Sequence, residues 1–282
     1  MTTLNTSEQE RPNIPAFGWG ALIGILGGLI GLGGAEFRLP VLTGVFKYRT
    51  LKAITINLVV SLVTVIFSFI FRTGLINLNK IAANAGIILN ILSGSLIGAY
   101  IGVHFATKVN ERALSRIVIV FLIVLSIILV SYNFIVGLQS LQFPVMVRIL
   151  LGFVMGIIIG VFSSMLGVAG GELIIPTILI IFSTDIKLAG SLSLAISIPT
   201  ILIGLFRYKR QGKLDDIRFE SRFILWMALG SILGALTGSY LLRFAPSVFL
   251  HTLLGIILLV SAIKLLRDHS HKSRGDSRVA PT

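Results

Sequence analysis

Cysteine is absent from this chain, and charged residues are scarce. Without cysteine, disulfides, thiol nucleophiles and cysteine metal sites are excluded. Only 12% of the 282 residues are charged, 55% are hydrophobic, and the mean hydropathy is +0.98. A soluble domain carries about twice that share of charge. The composition therefore predicts an integral membrane protein that crosses the bilayer many times.

Acidic residues are the scarcer of the charged types. There are 11 of them against 24 Lys and Arg, so the net charge is +13. The basic residues lie between apolar runs or in the tail, and no aromatic residues alternate with them to stack on bases, so no nucleic-acid partner is expected. The basic segment 207–213 is predicted to contact anionic lipids. The first fifteen residues lack the pattern of a secretory signal, so this segment is expected to be retained.

One segment occurs twice. Residues 31–40 read GLGGAEFRLP, and residues 167–176, which lie 136 positions later, read GVAGGELIIP. The same offset relates many other positions, among them Gly20 and Gly156, Gly24 and Gly160, Ser61 and Ser197, Thr64 and Thr200, Ser95 and Ser231, and Gly98 and Gly234. A constant offset over this length indicates an internal duplication. Within the duplicated region, glycines at four-residue spacing are expected to let helices pack closely. The alternative is that these glycines leave room for a substrate path.

Eight apolar runs divide equally between the two copies. They cover 16–46, 53–71, 81–105, 113–137, 148–182, 188–206, 222–243 and 248–266. The first run of each copy is too long for one straight span and contains the glycine cluster, so it is predicted to form two helices that meet at a break. The fold class is all-α: a polytopic helical membrane protein of two homologous halves, 16–137 and 148–267, with a cytoplasmic segment 1–15 and a disordered basic tail 268–282.

The way each break is used decides the topology. If each first run is a single broken span, the chain crosses eight times. If the two pieces form a re-entrant hairpin, the halves insert in opposite orientations, as in the inverted repeats of many secondary transporters. Counting Lys and Arg on each side, with Arg72 counted as a loop residue, favours the inverted repeat. Both arrangements place the two termini in the cytoplasm.

The breaks are the first candidate site. A helix that restarts after a break exposes N–H groups that favour an anion. The glycines whose missing side chains would let a ligand reach the backbone are Gly33, Gly34, Gly170 and Gly171. The alternative is that they only permit tight turns between packed helices. Glu36 and Glu172 follow in the first helical turn and either cap the helix or, if buried, take up a proton and couple it to transport.

Other polar residues lie close to the breaks. Arg38 has no counterpart, because Ile174 occupies that position in the second copy. Its guanidinium could hold an anion through two hydrogen bonds, reach the headgroups, or pair with Glu36 or Glu172. Further substrate-binding candidates on the next helix of each half are Asn57, Ser61, Ser193 and Ser197, with hydroxyl bonding to their own helix as the alternative.

The duplicated breaks, the KAITIN segment at 52–57, the KLAGSLS segment at 187–193 and the Gly98–Ala99 and Gly234–Ala235 ridges together resemble the sulfite exporter TauE/SafE family, also called the 4-toluene sulfonate uptake permease family. The resemblance covers about 16–267. It implies an inner-membrane permease for sulfur-containing or related small anions. Ala35 and Ala169 interrupt what is often a run of three glycines in the family, which leaves the exact substrate open.

We therefore expect a secondary permease that moves a small anion, of the sulfite, sulfonate, sulfoacetate or thiosulfate class, by alternating access at a site near the bilayer midplane. An intramembrane enzyme and a channel-like anion pore are the alternatives; the sequence offers the enzyme neither a nucleophile with a base nor a metal set. No cofactor and no metal are expected, and the expected location is the bacterial inner membrane.

Overall fold

A computed structural model describes residues 13–105, 123, 127, 143–166, 168, 170–210, 212, 220–257, 259, 260 and 263. All regular structure within these residues is helical. The helices are α1 (Asn13–Ile30), α2 (Ala35–Pro40), α3 (Thr50–Thr73), α4 (Leu78–Ala83), α5 (Ala85–Phe105), α6 (Val145–Leu166), α7 (Gly171–Phe182), α8 (Ile186–Arg210), α9 (Ser221–Leu241) and α10 (Ser247–Ile257), with a π-helical turn Val41–Val45 directly after α2. The predicted all-α class is confirmed.

Among the residues that the structure describes, five helices are long and apolar enough to cross a membrane. They are Asn13–Ile30, Lys52–Thr73, Val145–Ser164, Ile186–Arg210 and Ser221–Leu241. The shorter apolar helices Ala85–Ile101, Gly171–Phe182 and Ser247–Ile257 accompany them. Most of the predicted run 113–137 lies outside the described residues, as do residues 1–12 and the tail 268–282. The chain is a multi-pass membrane protein.

Both predicted helix breaks are present, and they have the same local geometry. α1 ends at Ile30 and α2 restarts at Ala35, while α6 ends at Leu166 and α7 restarts at Gly171. The residue before each restart is a left-handed glycine, Gly34 with φ 73° and Gly170 with φ 75°. A side chain is strained in that conformation, which explains why glycine ends each cluster.

α1 packs along α9 with backbone against backbone. A Cβ added at three glycines of α1 would lie 2.3 to 2.5 Å from a carbonyl oxygen of α9, and the pairs are Gly20 with Met227, Gly24 with Ser231 and Gly28 with Ala235. Because the residue numbers rise together, the two helices run parallel. Without a hydrophobic drive between helices in lipid, such close approach is what stabilises the pair.

The equivalent contacts occur between α6 and α5. Gly156 lies against Ile91 and Gly160 against Ser95, which are the first two α1 contacts shifted by 136 positions with the halves exchanged. The first helix of each half therefore packs on a helix of the other half. The glycine ridges have the packing role predicted for them, and the duplication extends to individual contacts.

Alanine at Gly98 is expected to destabilise the protein by about 1–3 kcal/mol, because its Cβ would lie 2.0 Å from the carbonyl oxygen of Ile157 and α5 and α6 would have to separate. Alanine at Gly86, at the start of the same helix, meets no atom within 4 Å and should be neutral or slightly stabilising. Thermal unfolding of both purified variants in detergent tests the difference; equal melting temperatures would contradict this packing.

Arg72, in the last turn of α3, is fully buried and joins the two halves. Its guanidinium donates to the carbonyl oxygens of Gly28 at 3.2 Å and Leu29 at 3.3 Å, at the end of α1. It also donates to the Lys187 carbonyl oxygen at 2.6 Å and to Ser191 Oγ at 3.0 Å, at the start of α8. Counting Arg72 as a loop charge was wrong, because helix ends and not headgroups satisfy this side chain.

α3 and α8 occupy equivalent positions in the two halves and pack against each other. The last turn of α3 contacts the first turn of α8 through Arg72 and Lys187. One apolar cluster includes Leu58 from the first half of α3 and Tyr208 from the last turn of α8. The Arg72 contact and the membership of this cluster both fit helices that run antiparallel to each other.

Candidate functional site

The two helix breaks lie in contact at the interface between the halves. A Cβ on Gly171 would lie 2.8 Å from the carbonyl oxygen of Leu32, which lies inside the first break. A Cβ on Gly31, in the same break, would lie even closer, at 2.4 Å, to the carbonyl oxygen of Gly190 in α8. Segments that are 136 residues apart in sequence therefore meet backbone to backbone.

The carboxyl groups of Glu36 and Glu172 lie close together where the breaks meet. Glu36 is 9% exposed, and neither of its carboxyl oxygens has a hydrogen-bond partner. Glu172, which is partly buried, is close enough to interact with Glu36 electrostatically, and Arg38 interacts with Glu36 in the same way. Two acids and one cation are thus gathered within a membrane protein, where ionisable groups are rare and usually functional.

Arg38 is fully buried and surrounded by neutral oxygen atoms. It donates from Nη1 to Ser61 Oγ at 2.7 Å and to Asn57 Oδ1 at 3.4 Å. From Nη2 it donates to Thr64 Oγ1 at 3.0 Å and to Ser231 Oγ at 3.4 Å. Its Nε has no partner. These five residues form what we call the Arg38 cluster, and the predicted alternative that Arg38 reaches the headgroups is wrong because the side chain is buried.

Helix periodicity explains how the Arg38 cluster is built. Asn57, Ser61 and Thr64 follow at intervals of four and three residues, so they share one face of α3. Ser231 comes from α9 of the other half. The Asn57 amide also donates to the Ala35 carbonyl oxygen at 3.0 Å, which ties α3 to the restart of α2.

An equivalent polar face lies in the second half. It consists of Ser193, Ser197 and Thr200 on α8 with Ser95 on α5, and we call it the α8 cluster. Ser95 Oγ and Thr200 Oγ1 lie 3.2 Å apart. Ile174, fully buried, takes the sequence position of Arg38, so this cluster has hydroxyl groups but no cation of its own.

The predicted site residues therefore fall into separate groups. Arg38, Asn57 and Ser61 lie together, and Glu36 links Arg38 to Glu172 through its electrostatic interactions, whereas Arg38 forms no hydrogen bond with Ser193 or Ser197. Thr64 and Ser231 were not among the predicted site residues. Their signal was already in the sequence, since both belong to duplicated pairs.

The glycines of the breaks serve close packing. A Cβ on Gly34 would lie 2.5 Å from the Ile23 side chain, and one on Gly171 would meet Leu32. Gly33, with φ 84°, also has a left-handed backbone. The tight-turn alternative therefore accounts for Gly33, Gly34 and Gly170 through their left-handed backbones, and close packing between the breaks accounts for Gly171.

Membrane-spanning helices, two broken helices that meet, and buried ionisable residues define a multi-pass membrane transporter. The model of the sulfite exporter TauE/SafE family matches residues 2–129 and 152–282, and the chain belongs to this family. A protein of Methanocaldococcus jannaschii described as a probable membrane transporter is 28% identical over 211 residues, which cover 72% of this chain and 75% of that protein. No solved structure matches the chain.

Proposed function

We propose that this transporter is a secondary permease that moves a small sulfur-containing anion, of the sulfite, sulfonate, sulfoacetate or thiosulfate class, by alternating access at the Arg38 cluster. The observation that carries the proposal is the environment of Arg38: a fully buried guanidinium whose four hydrogen bonds all go to neutral oxygens. Burying a cation is costly, and Arg38 differs from Arg72 in two respects: its acceptors are all side-chain oxygens, whereas those of Arg72 are mostly carbonyls at helix ends, and its Nε has no partner. This difference favours a functional role over a structural one.

The hydrogen bonds of Arg38 leave room for exchange with an anion. The bonds to Asn57 and Ser231 are 3.4 Å long, at the outer limit for a hydrogen bond, whereas those to Ser61 and Thr64 are shorter and hold the guanidinium in place. The free Nε–H and a neighbouring Nη–H present two parallel donors, the arrangement that matches two oxygens of one oxyanion. Sulfite and sulfonate groups both offer such a pair, and the family description supports this class.

Alternating access is supported by the relation between the two halves. In an inverted repeat, the halves 16–137 and 148–267 insert in opposite orientations, so equivalent helices run antiparallel. The contacts of the equivalent helices α3 and α8 fit this arrangement. The glycine contacts join α1 to α9 and α5 to α6, so each moving unit would contain helices from both halves. Movement of one pair against the other would open the Arg38 cluster to each side in turn.

The location in the bacterial inner membrane, with both termini in the cytoplasm, is part of the same proposal. Most of the basic residues between apolar runs would then face the cytoplasm and its anionic lipids. Arg207 in the segment 207–213 instead donates to the carbonyl oxygens of Ala99 and Tyr100, at the end of α5. That contact anchors the end of α8 beside α5.

The carboxyl pair supplies the proposed proton coupling. With Glu36, Glu172 and Arg38 all ionised, the group carries one net negative charge, which opposes entry of an anion. One proton shared between the two carboxyl groups makes the trio neutral. Proton uptake would therefore precede or accompany substrate binding.

Replacement of Glu172 or Glu36 by glutamine is expected to leave the protein folded but to remove the pH dependence of anion flux. The reason is that the glutamine amide mimics the protonated carboxyl at every pH. Flux into proteoliposomes, measured from about pH 5 to pH 8, tests this. The control is Glu220→Gln, which removes a carboxylate that pairs with Lys52 at 2.8 Å, away from the pair; it should keep the native pH profile. An unchanged pH profile in both pair variants would remove the proton role.

Counterflow into liposomes tests the transport function itself. Sulfite, thiosulfate, sulfoacetate and sulfate are tried in parallel as labelled solutes. We expect saturable uptake that is accelerated by unlabelled anion inside the vesicles. Flux that neither saturates nor responds to internal anion would indicate a channel-like pore, and chemical conversion of the solute or lipid without flux would indicate an intramembrane enzyme.

A further inference from the structure

We infer that the α8 cluster is a binding site for a small monovalent cation, Na⁺, held by side-chain oxygens of Ser193, Ser197, Thr200 and Ser95. The inference extends the proposed function by adding a second ion. It depends on residues that do not belong to the Arg38 cluster, so the two proposals can fail separately.

The first half shows what this arrangement of oxygens does. The positions equivalent to the α8 cluster are Asn57, Ser61, Thr64 and Ser231, and every one of them accepts a hydrogen bond from the Arg38 guanidinium. Four neutral oxygens thus surround one cation. The duplication has kept an oxygen atom at each of these positions in the second half, but it has not kept the cation.

The hydroxyl protons are already engaged with the helix backbones. Thr64 Oγ1 donates to the Val60 carbonyl oxygen at 2.8 Å, so its lone pairs are left for Arg38. Thr200 Oγ1 has the same contact with the Ile196 carbonyl oxygen at 2.9 Å, and Ser95 Oγ lies 3.0 Å from the Leu92 carbonyl oxygen. Ser95 Oγ and Thr200 Oγ1 also lie within hydrogen-bond distance of each other, at 3.2 Å. With both protons donated to the backbone carbonyls instead, the two oxygens would be free to turn lone pairs to one cation.

At two positions the second half also has a smaller or less polar side chain than the first half. Ile174 replaces Arg38, and Ser193 replaces Asn57. Ser193 is fully buried, and its Oγ has no hydrogen-bond partner, whereas the Asn57 amide reaches the Ala35 carbonyl oxygen. A buried hydroxyl without a partner is costly, and this one lies at the position equivalent to a residue that contacts the Arg38 guanidinium, so it indicates a missing ligand.

A cation suits these acceptors better than a water molecule does. Water donates only two hydrogen bonds, while a metal ion contacts all four oxygens at once. The four ligands are neutral hydroxyls, and Ile174 stands at the position equivalent to Arg38. This is too little negative charge for Ca²⁺ or Mg²⁺, which are usually held by carboxylates, and it suits a single positive charge.

The test is the thermal stability of the purified full-length protein in detergent, without any transported anion, in NaCl, KCl or choline chloride at equal ionic strength. Na⁺ should raise the melting temperature saturably, by roughly 3–5 °C at ten times its dissociation constant, and K⁺ and choline should not. Ser193→Ala should weaken the apparent Na⁺ affinity at least about tenfold. The matched control is Ser239→Ala, which removes another buried hydroxyl without a partner, on α9, and should keep the native response.

A second variant supplies the missing cation. Ile174→Arg places a guanidinium at the position equivalent to Arg38, so the melting temperature should no longer respond to Na⁺. A wild-type melting temperature that is the same in all three salts would overturn the inference, as would equal loss of the response in Ser193→Ala and Ser239→Ala. If anion flux saturates but Na⁺ does not raise the melting temperature, only the cation site is overturned. If Na⁺ raises the melting temperature but no anion flux is found, only the proposed function is overturned.

Discussion

Replacing Arg38 with isoleucine is expected to lower anion counterflow at least about 100-fold while the protein remains folded. The loss follows from the proposed function, in which the guanidinium held by Ser61 and Thr64 presents two parallel donors to an oxyanion. Folding should persist, since Ile174 already occupies the equivalent position beside a similar set of hydroxyl groups. Counterflow and size-exclusion chromatography on the same preparation separate the two effects.

Two controls make this result specific. Arg38→Lys keeps the charge but loses the planar pair of donors, so it should restore only part of the flux. Arg222→Ile makes the same replacement at an exposed position at the start of α9 and should leave flux near the native rate. Native flux in Arg38→Ile would remove Arg38 from the transport site.

Replacing Arg72 with methionine is expected to cost about 3–6 kcal/mol of unfolding free energy. The side chain has a similar length, but it leaves three carbonyl oxygens and the Ser191 hydroxyl without their donor. The melting temperature should fall by about 10 °C or more. Since these bonds join the end of α1 to the start of α8, the loss weakens the contact between the halves.

Arg148→Met provides the comparison for Arg72. Arg148 is only partly buried and donates to one carbonyl oxygen, that of Phe143, at 2.7 Å. We expect this variant to lose about 1 kcal/mol or less. If the two variants melted at the same temperature, the contacts of Arg72 would not stabilise the interface.

The sequence predicted the features that repeat. The glycine clusters located both helix breaks, because an interrupted apolar run with left-handed glycines has few other forms. The ridges of Gly20, Gly24 and their counterparts indicated close helix packing. Arg38 and Glu36 stood out because charge is expensive in lipid.

The remaining features depend on contacts that no local pattern carries. Ser231 lies 193 positions from Arg38, and only the packing of α9 on α1 and α3 brings them together. Arg72 looked like an ordinary basic residue at the end of a span, since nothing in its neighbours in sequence reveals the open carbonyls of α1. Likewise, only the three-dimensional arrangement shows that the Arg38 cluster surrounds a cation and that the α8 cluster does not.

The exchange of first helices between the halves has a consequence for biosynthesis. α1 leaves the ribosome first, yet the helix that receives its glycine ridge, α9, ends only at Leu241. During most of translation α1 must therefore wait in the bilayer, or with a membrane chaperone, with its flat face uncovered.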